Sequence, residues 1–260
     1  YKAGGINPPI SPIFNISPTF KPESINAFEI GSKNTFLGGL ARLNLSAFYY
    51  DYKALQLSRI VGRTSVNDNT DAGIWGLEAE GVLRPTDDLL LNFSGSYLKS
   101  KIKGLSLVDP RDPSGGRSDV VIIKDLENAS NCVVAPIITL PPGTAAAFVG
   151  AVNSSVGLQA PVAVPGTTAT GAFGSCAALA AAVASPPAAL RAALGVPTGP
   201  LPFAVNTGIE RSLDGNELPQ SPNWKFAAGA QYTFRFGNGW TLVPRADVAY
   251  TGSYFARSFN

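Results

Sequence analysis

Glu78 and Glu80 are the first residues in this sequence whose types and spacing could do chemistry. A pair of carboxylates can share acid and base roles in glycoside hydrolysis, where the separation of the pair defines the mechanism. Two residues apart in GLEAE, they share one face if the segment is a strand. A polar strand face also accounts for them, and no partner is identifiable from sequence. Asp68 and Asp71, within GRTSVNDNTDAG (62–73), could hold a calcium ion but lack EF-hand spacing. A solvated polar loop over 62–73 is the simpler reading. Ser114-Gly115-Gly116-Arg117 is glycine-rich without the GxxxxGK[ST] pattern of a phosphate loop. Histidine is absent, which removes the commonest general base and the commonest transition-metal ligand. With no recognisable nucleophile arrangement either, the expectation is no enzyme, no catalytic residue, no metal site and no cofactor. Ligand-binding residues cannot be named from the sequence.

Cys132 and Cys176 have neither CxxC spacing nor histidine neighbours, which argues against zinc and thioredoxin-like chemistry. Two cysteines in one irregular region suit a disulfide formed in an oxidising compartment. Two free buried thiols are the alternative. A bond requires Cα atoms within about 7 Å.

The elements that would position these residues come from periodicity. In Trp224–Arg235, the residues Trp224, Phe226, Ala228, Ala230, Tyr232 and Phe234 share one phase, with Lys225, Gln231, Thr233 and Arg235 in the other. After Gly237-Asn238-Gly239, which suits a short hairpin loop, Trp240, Leu242, Pro244, Ala246, Val248 and Tyr250 repeat the apolar phase. Similar alternation gives strands over about 25–36, 40–60, 73–84, 89–102, 217–236 and 240–258, about six strands in three hairpins. Such strands exceed the usual globular length. Their apolar phase carries aromatics near both ends, as a membrane-spanning strand does. Pro244 forfeits a ladder hydrogen bond, which a bulge would accommodate. Asn44-Leu45-Ser46 matches a glycosylation sequon, but lies inside a strand and not on a surface loop.

Short connections (37–39, 85–88, 237–239) alternate with long ones (62–73 and 103–216), the sorting of an outer-membrane barrel with short periplasmic turns and long external loops. Residues 103–216 read as one very long extracellular loop, either loosely ordered or covering the barrel mouth and touching ligand. Within it, Cys176–Gly195 predicts two short Ala-rich helices broken at Pro186-Pro187. No run of 18 apolar residues exists, so no transmembrane helix is expected; a barrel is untouched by that. The 20 Lys and Arg against 18 Asp and Glu are scattered, leaving no basic tract for nucleic acid.

Three stretches carry a family resemblance: FKPESINAFEIGSKNTFLGGLARLNLSAFYYDYKALQ, GIWGLEAEGVLRPTDDLLLNFSGSYLKSKI, and GNELPQSPNWKFAAGAQYTFRFGNGWTLVPRADVAYTGSYFARSFN. The E-x-x-x-x-F-E-x-G-x-K element, Glu23 to Lys33, is the most telling. Together they cover about half the chain, which resembles the C-terminal β-barrel region of TonB-dependent outer-membrane receptors. The resemblance implies an all-β fold, part of a transmembrane antiparallel barrel of about 22 strands with a plugged lumen. It implies a bacterial outer-membrane location and energy-coupled uptake of a scarce solute such as a siderophore, cobalamin or glycan. The implied partners are outer-membrane lipid, TonB acting through a plug domain, and an extracellular small-molecule or glycan ligand. The chain is expected to be an internal fragment, with the plug and the last barrel strands lying outside it. Arg42, Glu78, Glu80, Lys225, Arg235, Arg245 and Asp247 would then line the lumen. A passive outer-membrane channel, and a soluble or surface β-sandwich for binding or adhesion, are the competing readings.

Overall fold

The computed structural model describes residues 1–10, 16–61, 64–128, 130–196 and 198–259. Two short strands, β1 (Gly5–Ile6) and β2 (Thr19–Phe20), precede four long ones: β3 (Ser24–Phe36), β4 (Ala41–Val61), β5 (Thr64–Leu83) and β6 (Leu89–Lys103). A second group follows, with β7 (Ser106–Val108), β8 (Val121–Asp125), β9 (Asn131–Pro136), α1 (Thr144–Ser155), β10 (Val162–Ala163), β11 (Thr170–Gly174), α2 (Cys176–Ala184), α3 (Ala188–Leu194), β12 (Phe203–Asn206) and β13 (Glu210–Ser212). The chain then returns through β14 (Trp224–Tyr232), β15 (Phe234–Arg235), β16 (Thr241–Leu242) and β17 (Arg245–Thr251).

The six long strands make one sheet in the order β3-β4-β5-β6-β14-β17, antiparallel throughout. β14 pairs with β6 although the whole second group lies between them, so that group is an insertion into a meander. Register aligns the apolar phases across the sheet. Ile30, Ala47, Leu77, Tyr97 and Trp224 form one cross-strand row, and Leu43, Gly81, Phe93, Ala228 and Val248 another. On the opposite face, Lys33, Asn44, Glu80 and Ser94 share a row, as do Ser46, Glu78, Ser96 and Lys225. The apolar face is uncovered: Ile30 is 76% exposed, Phe28 64% and Val248 59%. Aromatics bound it. Trp75, Tyr97 and Trp224 pack in sequence at one end, with ring centroids 5.3 and 4.6 Å apart. Tyr232 and Phe234 meet at 4.7 Å at the other.

Two glycines in β5 exist because large rings occupy their Cβ positions. A Cβ on Gly81 would collide with the Phe93 ring on the apolar face, and one on Gly76 with Phe48 on the polar face. A ring laid over a strand glycine covers backbone that would otherwise be bare, which helps pin register.

Several boundaries differ from the sequence expectation. Thr64–Gly73 is not a loop but the first half of β5, paired with β4 from Leu55↔Thr70 to Val61↔Thr64; residues 62 and 63 lie outside the described residues. The ladder survives polar sequence here because side chains from the N-terminal segment bond its edges. The strand expected from 217 begins at Trp224, because Pro219 and Pro222 cannot donate to a ladder and Gln220 has φ +55°. The strand expected over 240–258 is divided: β16 pairs only with β15, and β17 starts after Pro244. There the amide of Tyr232 donates to the Pro244 carbonyl at 3.2 Å, while that of Thr233 turns to Asp88. Of the Gly237–Gly239 turn, only Gly239 has positive φ.

The insertion departs most from expectation. Part of 103–216 is a folded α/β unit, not a loosely ordered loop. Its sheet runs β10-β11-β8-β9-β12, with β8 and β11 parallel. Val121, Ile123, Val134, Phe148, Val149, Leu179 and Phe203 form a core between that sheet and the helices. Phe148 stacks on Phe203 at 4.8 Å. A smaller cluster of Val120, Ile122, Val133, Ala135 and Ala169 covers the other face. The Ala-rich segment forms α2 and α3 with Pro186-Pro187 between them.

Candidate functional site

The site lies at the insertion end of the large sheet. β4 and β5 outrun their neighbours there: β3 pairs with β4 only from Ser24↔Lys53, and β6 with β5 only to Asp71↔Lys103. The overhang is stabilised from the N-terminal segment. Asn7, 4% exposed, uses its side-chain amide on both backbone groups of Asn67, donating at 3.0 Å and accepting at 2.8 Å. Asn69 does the same for Lys21, accepting at 2.6 Å and donating at 3.1 Å. The Gln56 amide donates to the Glu23 carboxylate at 2.9 Å. These bonds satisfy strand edges that would otherwise be open to another chain.

A bulge between Tyr52 and Leu55 re-aims β4. It places Ala54 at φ +53°, with its N–H donating to Asp71 at 2.9 Å. That backbone bond, with the Lys53 ammonium 3.3 Å away, holds the Asp71 carboxyl below its ordinary value. Asp71 and then Asp51 raise Lys53 in turn.

Beyond the bulge, Leu57, Arg59 and Asp68 border a cavity of about 550 Å3. Its other walls come from Leu107, Val108, Pro110 and Pro113, from Ser130 and Asn131 at the β8–β9 turn, and from Ala256, Arg257 and Phe259. With Thr207 and Pro219, seven separated segments converge on one hollow whose exposed lining is mostly apolar but carries Arg59, Asp68 and Arg257, a make-up suited to a small-molecule site. Arg59 is ion-paired with Asp68 and about a quarter exposed. It also borders a second, more polar cavity of about 300 Å3 with Asn206, Thr207, Ile209 and Glu210. Arg257 is exposed and makes no ion pair among the described residues.

Two devices hold the insertion. Cys132 and Cys176 are joined by a disulfide, with Cα atoms 6.3 Å apart. Both are fully buried in the core, linking β9 to the first residue of α2. At that helix start, Ser175 caps Ala178 N–H at 3.1 Å and donates to Glu127 at 2.5 Å. Asp125 accepts from the Cys176 amide at 3.4 Å, so two carboxylates lie at the positive end of the helix. Nearer the large sheet, Arg117 and Asp119 make a two-point ion pair at 2.9 and 2.6 Å. This bond lowers the Asp119 carboxyl and raises Arg117. Arg117 also donates to the Pro136 carbonyl at 3.2 Å, fixing the Ser114–Arg117 turn against β9.

The remaining residues of interest are dispersed. Glu78 and Glu80 lie on the polar face opposite serines and Asn44, with no base beside them. Asp68 and Asp71 serve Arg59 and Ala54–Lys53, so neither faces an open calcium position. Arg42 and Lys225 stand exposed on the polar face. Arg245 is paired with Asp247 at 2.6 Å and reaches Asn92 at 3.2 Å. Arg235 lies at the far end, on Asp88 at 2.9 Å. Among the described residues, no cluster of metal-ligating side chains occurs. Sequence reasoning did not find Arg59, Asn7 or Arg257; Asn7 acts on Asn67, sixty positions away, and Arg59 and Arg257 come together only at the cavity.

The chain is a long meander with one apolar and one polar face, interrupted by a folded unit at one end. A family model described as TonB dependent receptor-like, beta-barrel, matches residues 1–145. The chain belongs to the TonB-dependent receptor β-barrel family. The match takes in β3 to β6 and runs into α1. The receptor's β14 and β17 lie beyond it but continue the same sheet in register. No curated protein matches the chain.

Proposed function

We propose that the six-stranded sheet is an arc of an outer-membrane barrel wall, and that the protein carries out energy-coupled uptake of a scarce solute. The carrying observation is the alternation of the sheet. Large apolar side chains stand uncovered on one face between two aromatic rows, and charged and hydroxyl residues fill the other. In water such a face is a liability; in hydrocarbon it is required. The apolar face then meets lipid, and the polar face, with Arg42, Glu78, Glu80, Lys225 and Arg245, lines the lumen. The 37–39, 85–88 and 237–239 turns are periplasmic, which puts the insertion and the cavity beside Arg59 outside the cell. Solute, a siderophore, cobalamin, glycan or similar molecule, binds at that end and enters when TonB, driven by the inner-membrane proton gradient, acts through a plug domain.

In this scheme the chain performs no bond-making chemistry, takes no cofactor and contacts no nucleic acid. Its residues bind, steer and enclose. The cavity offers mostly apolar surface to a solute, and Arg59, held by Asp68, offers a fixed cation at its edge. Uptake by intact cells tests the reading: loss of TonB, or collapse of the proton gradient, is expected to abolish accumulation. Accumulation that persists under both conditions would establish a passive channel instead.

A further inference from the structure

Three charged residues border the larger cavity: Arg59, Asp68 and Arg257. Arg59 turns two of its nitrogens to Asp68, so that pair is neutral. Arg257 has no ion-pair partner among the described residues. The lining therefore sets two cations against one anion. Arg257 also stands on a segment tied down on either side of it. The Gln220 amide donates to the Phe255 carbonyl at 2.8 Å, and the Asn216 side chain donates to the Ser258 carbonyl at 2.8 Å. The apolar walls are seated as firmly. Leu57, Leu107 and Phe259 pack against the buried Ile102, Leu105 and Leu213. Those walls offer few hydrogen-bonding groups. Pro110, Pro113 and Pro219 have no N–H to donate, the Pro113 carbonyl already accepts from the Ile209 amide at 2.8 Å, and the Ser58 hydroxyl is bonded to Asn67.

We propose that the solute held here is a compact amphipathic monocarboxylate, its carboxylate on Arg257 and its apolar body against Leu57, Leu107 and Phe259. This rests on the reading of that cavity as the solute site. A guanidinium meets a carboxylate through two parallel N–H groups, and the Arg257 guanidinium is the one at this cavity not spent on an ion pair. The cavity of about 550 Å3 falls within the roughly 300–1,000 Å3 that suits a drug-sized molecule. A second carboxylate on the solute would meet Asp68 or, across Arg59, Glu210 of the smaller cavity, and like charges repel. A glycan would leave hydroxyls unpaired against leucine and proline, at the cost of their desolvation. Solvation alone explains an isolated surface arginine, but not one pinned on both sides at the edge of an apolar hollow.

The test uses purified full-length protein in nanodiscs, titrated calorimetrically at neutral pH with empty nanodiscs as the blank. The probes are para-phenylbenzoate, its uncharged amide, the matching biphenyl dicarboxylate, and maltotriose. The wild type is expected to bind para-phenylbenzoate about tenfold more tightly than the amide, the lower end for a hydrogen bond to a charged group, because Arg257 is exposed. Arg257→Gln is expected to lose that preference and to bind the amide as the wild type does. Arg257 has no ion pair to lose, so the variant should keep the wild-type thermal unfolding. Arg84→Gln, exposed beside the 85–88 turn at the other end of the sheet, is expected to bind every probe as the wild type does. Equal binding of acid and amide by the wild type, or an acid preference that survives Arg257→Gln, would overturn the proposal. Binding of no probe would overturn it as well. Tighter binding of the dicarboxylate or of maltotriose would overturn it while leaving the cavity as the solute site. Binding as expected, with entry into intact cells unchanged after collapse of the proton gradient, would leave the proposal standing and overturn energy-coupled uptake.

Discussion

On the proposed reading, the large sheet and the insertion solve the same problem for opposite surroundings. In the insertion, Ile123, Phe148, Val149 and Leu179 are wholly buried between a five-stranded sheet and helices. In the large sheet, Phe28, Ile30, Trp224 and Val248 are each more than half exposed, and nothing among the described residues covers them. Both regions are held by backbone ladders, but the insertion carries the larger core, while the sheet's buried clusters are small and sit at its overhanging end, around Val61 and Val66 and around Ile102. A water-soluble domain gains stability by removing apolar area from water; a membrane wall leaves that area outward and lets lipid cover it. The comparison teaches that hydrophobic content alone does not separate the two regions; the direction in which side chains point does.

The largest expected effect breaks the insertion alone. Phe148→Ala removes a stacked ring from a closed core and should cost about 3–5 kcal/mol. Proteolysis of residues 120–206 should rise sharply, while the sheet keeps its spectroscopic signature in detergent. Next comes the disulfide. Cys132→Ala/Cys176→Ala opens a link of sequence separation 44, worth about 4 kcal/mol at most in the chain-entropy model. Thermal unfolding with and without reductant should show one transition lowered and another unchanged. The third sharpens the contrast from the sheet side. Leu45→Arg, mid-height on the apolar face, should destabilise the protein in bilayers by about 2–4 kcal/mol. Ser46→Arg, its neighbour on the polar face, should stay within about 0.5 kcal/mol, as a surface substitution does. Equilibrium refolding into vesicles measures both.

The smallest effect concerns the overhang. Asp71 is held below its ordinary pKa by the Ala54 amide and then Lys53. A depressed carboxyl stabilises the fold above its unfolded value and loses that contribution as pH falls through the folded one. The overhang should therefore loosen only below the ordinary carboxylate range near 3.8, by a modest amount, since Asp71 is well exposed and water screens it. Amide exchange of Leu55–Val61 against pH reads this out, and Asp71→Asn should remove the dependence.

The sequence made the wall legible and hid what surrounds it. β3 and β4 alternate so regularly that face and length can be read directly, and β14 shows its face, though not its length, the same way. The break between α2 and α3 follows from Pro186-Pro187. The overhang was hidden because Thr64–Asp71 is polar but for Val66; it pairs with β4, and the support of that ladder comes from Asn7 on Asn67, Lys21 on Asn69 and Glu23 on Gln56. The insertion's sheet was hidden for a different reason. Strands buried on both faces, such as Val121–Ile123 and Cys132–Ala135, read as plain apolar runs without alternation. The β8–β11 parallel pair also joins residues nearly fifty positions apart. The cavity beside Arg59 needs seven segments to exist, and no local pattern announces such a convergence.

The central claim is that the sheet has a lipid face and a lumen face, and adjacent residues of β5 test it most directly. The described cysteines are both in the disulfide, so Leu77→Cys and Glu78→Cys can each carry a single spin label in reconstituted vesicles. The account predicts that a label at 77 relaxes with oxygen dissolved in lipid and one at 78 with a water-soluble nickel chelate. Equal access of the chelate to both positions would contradict it.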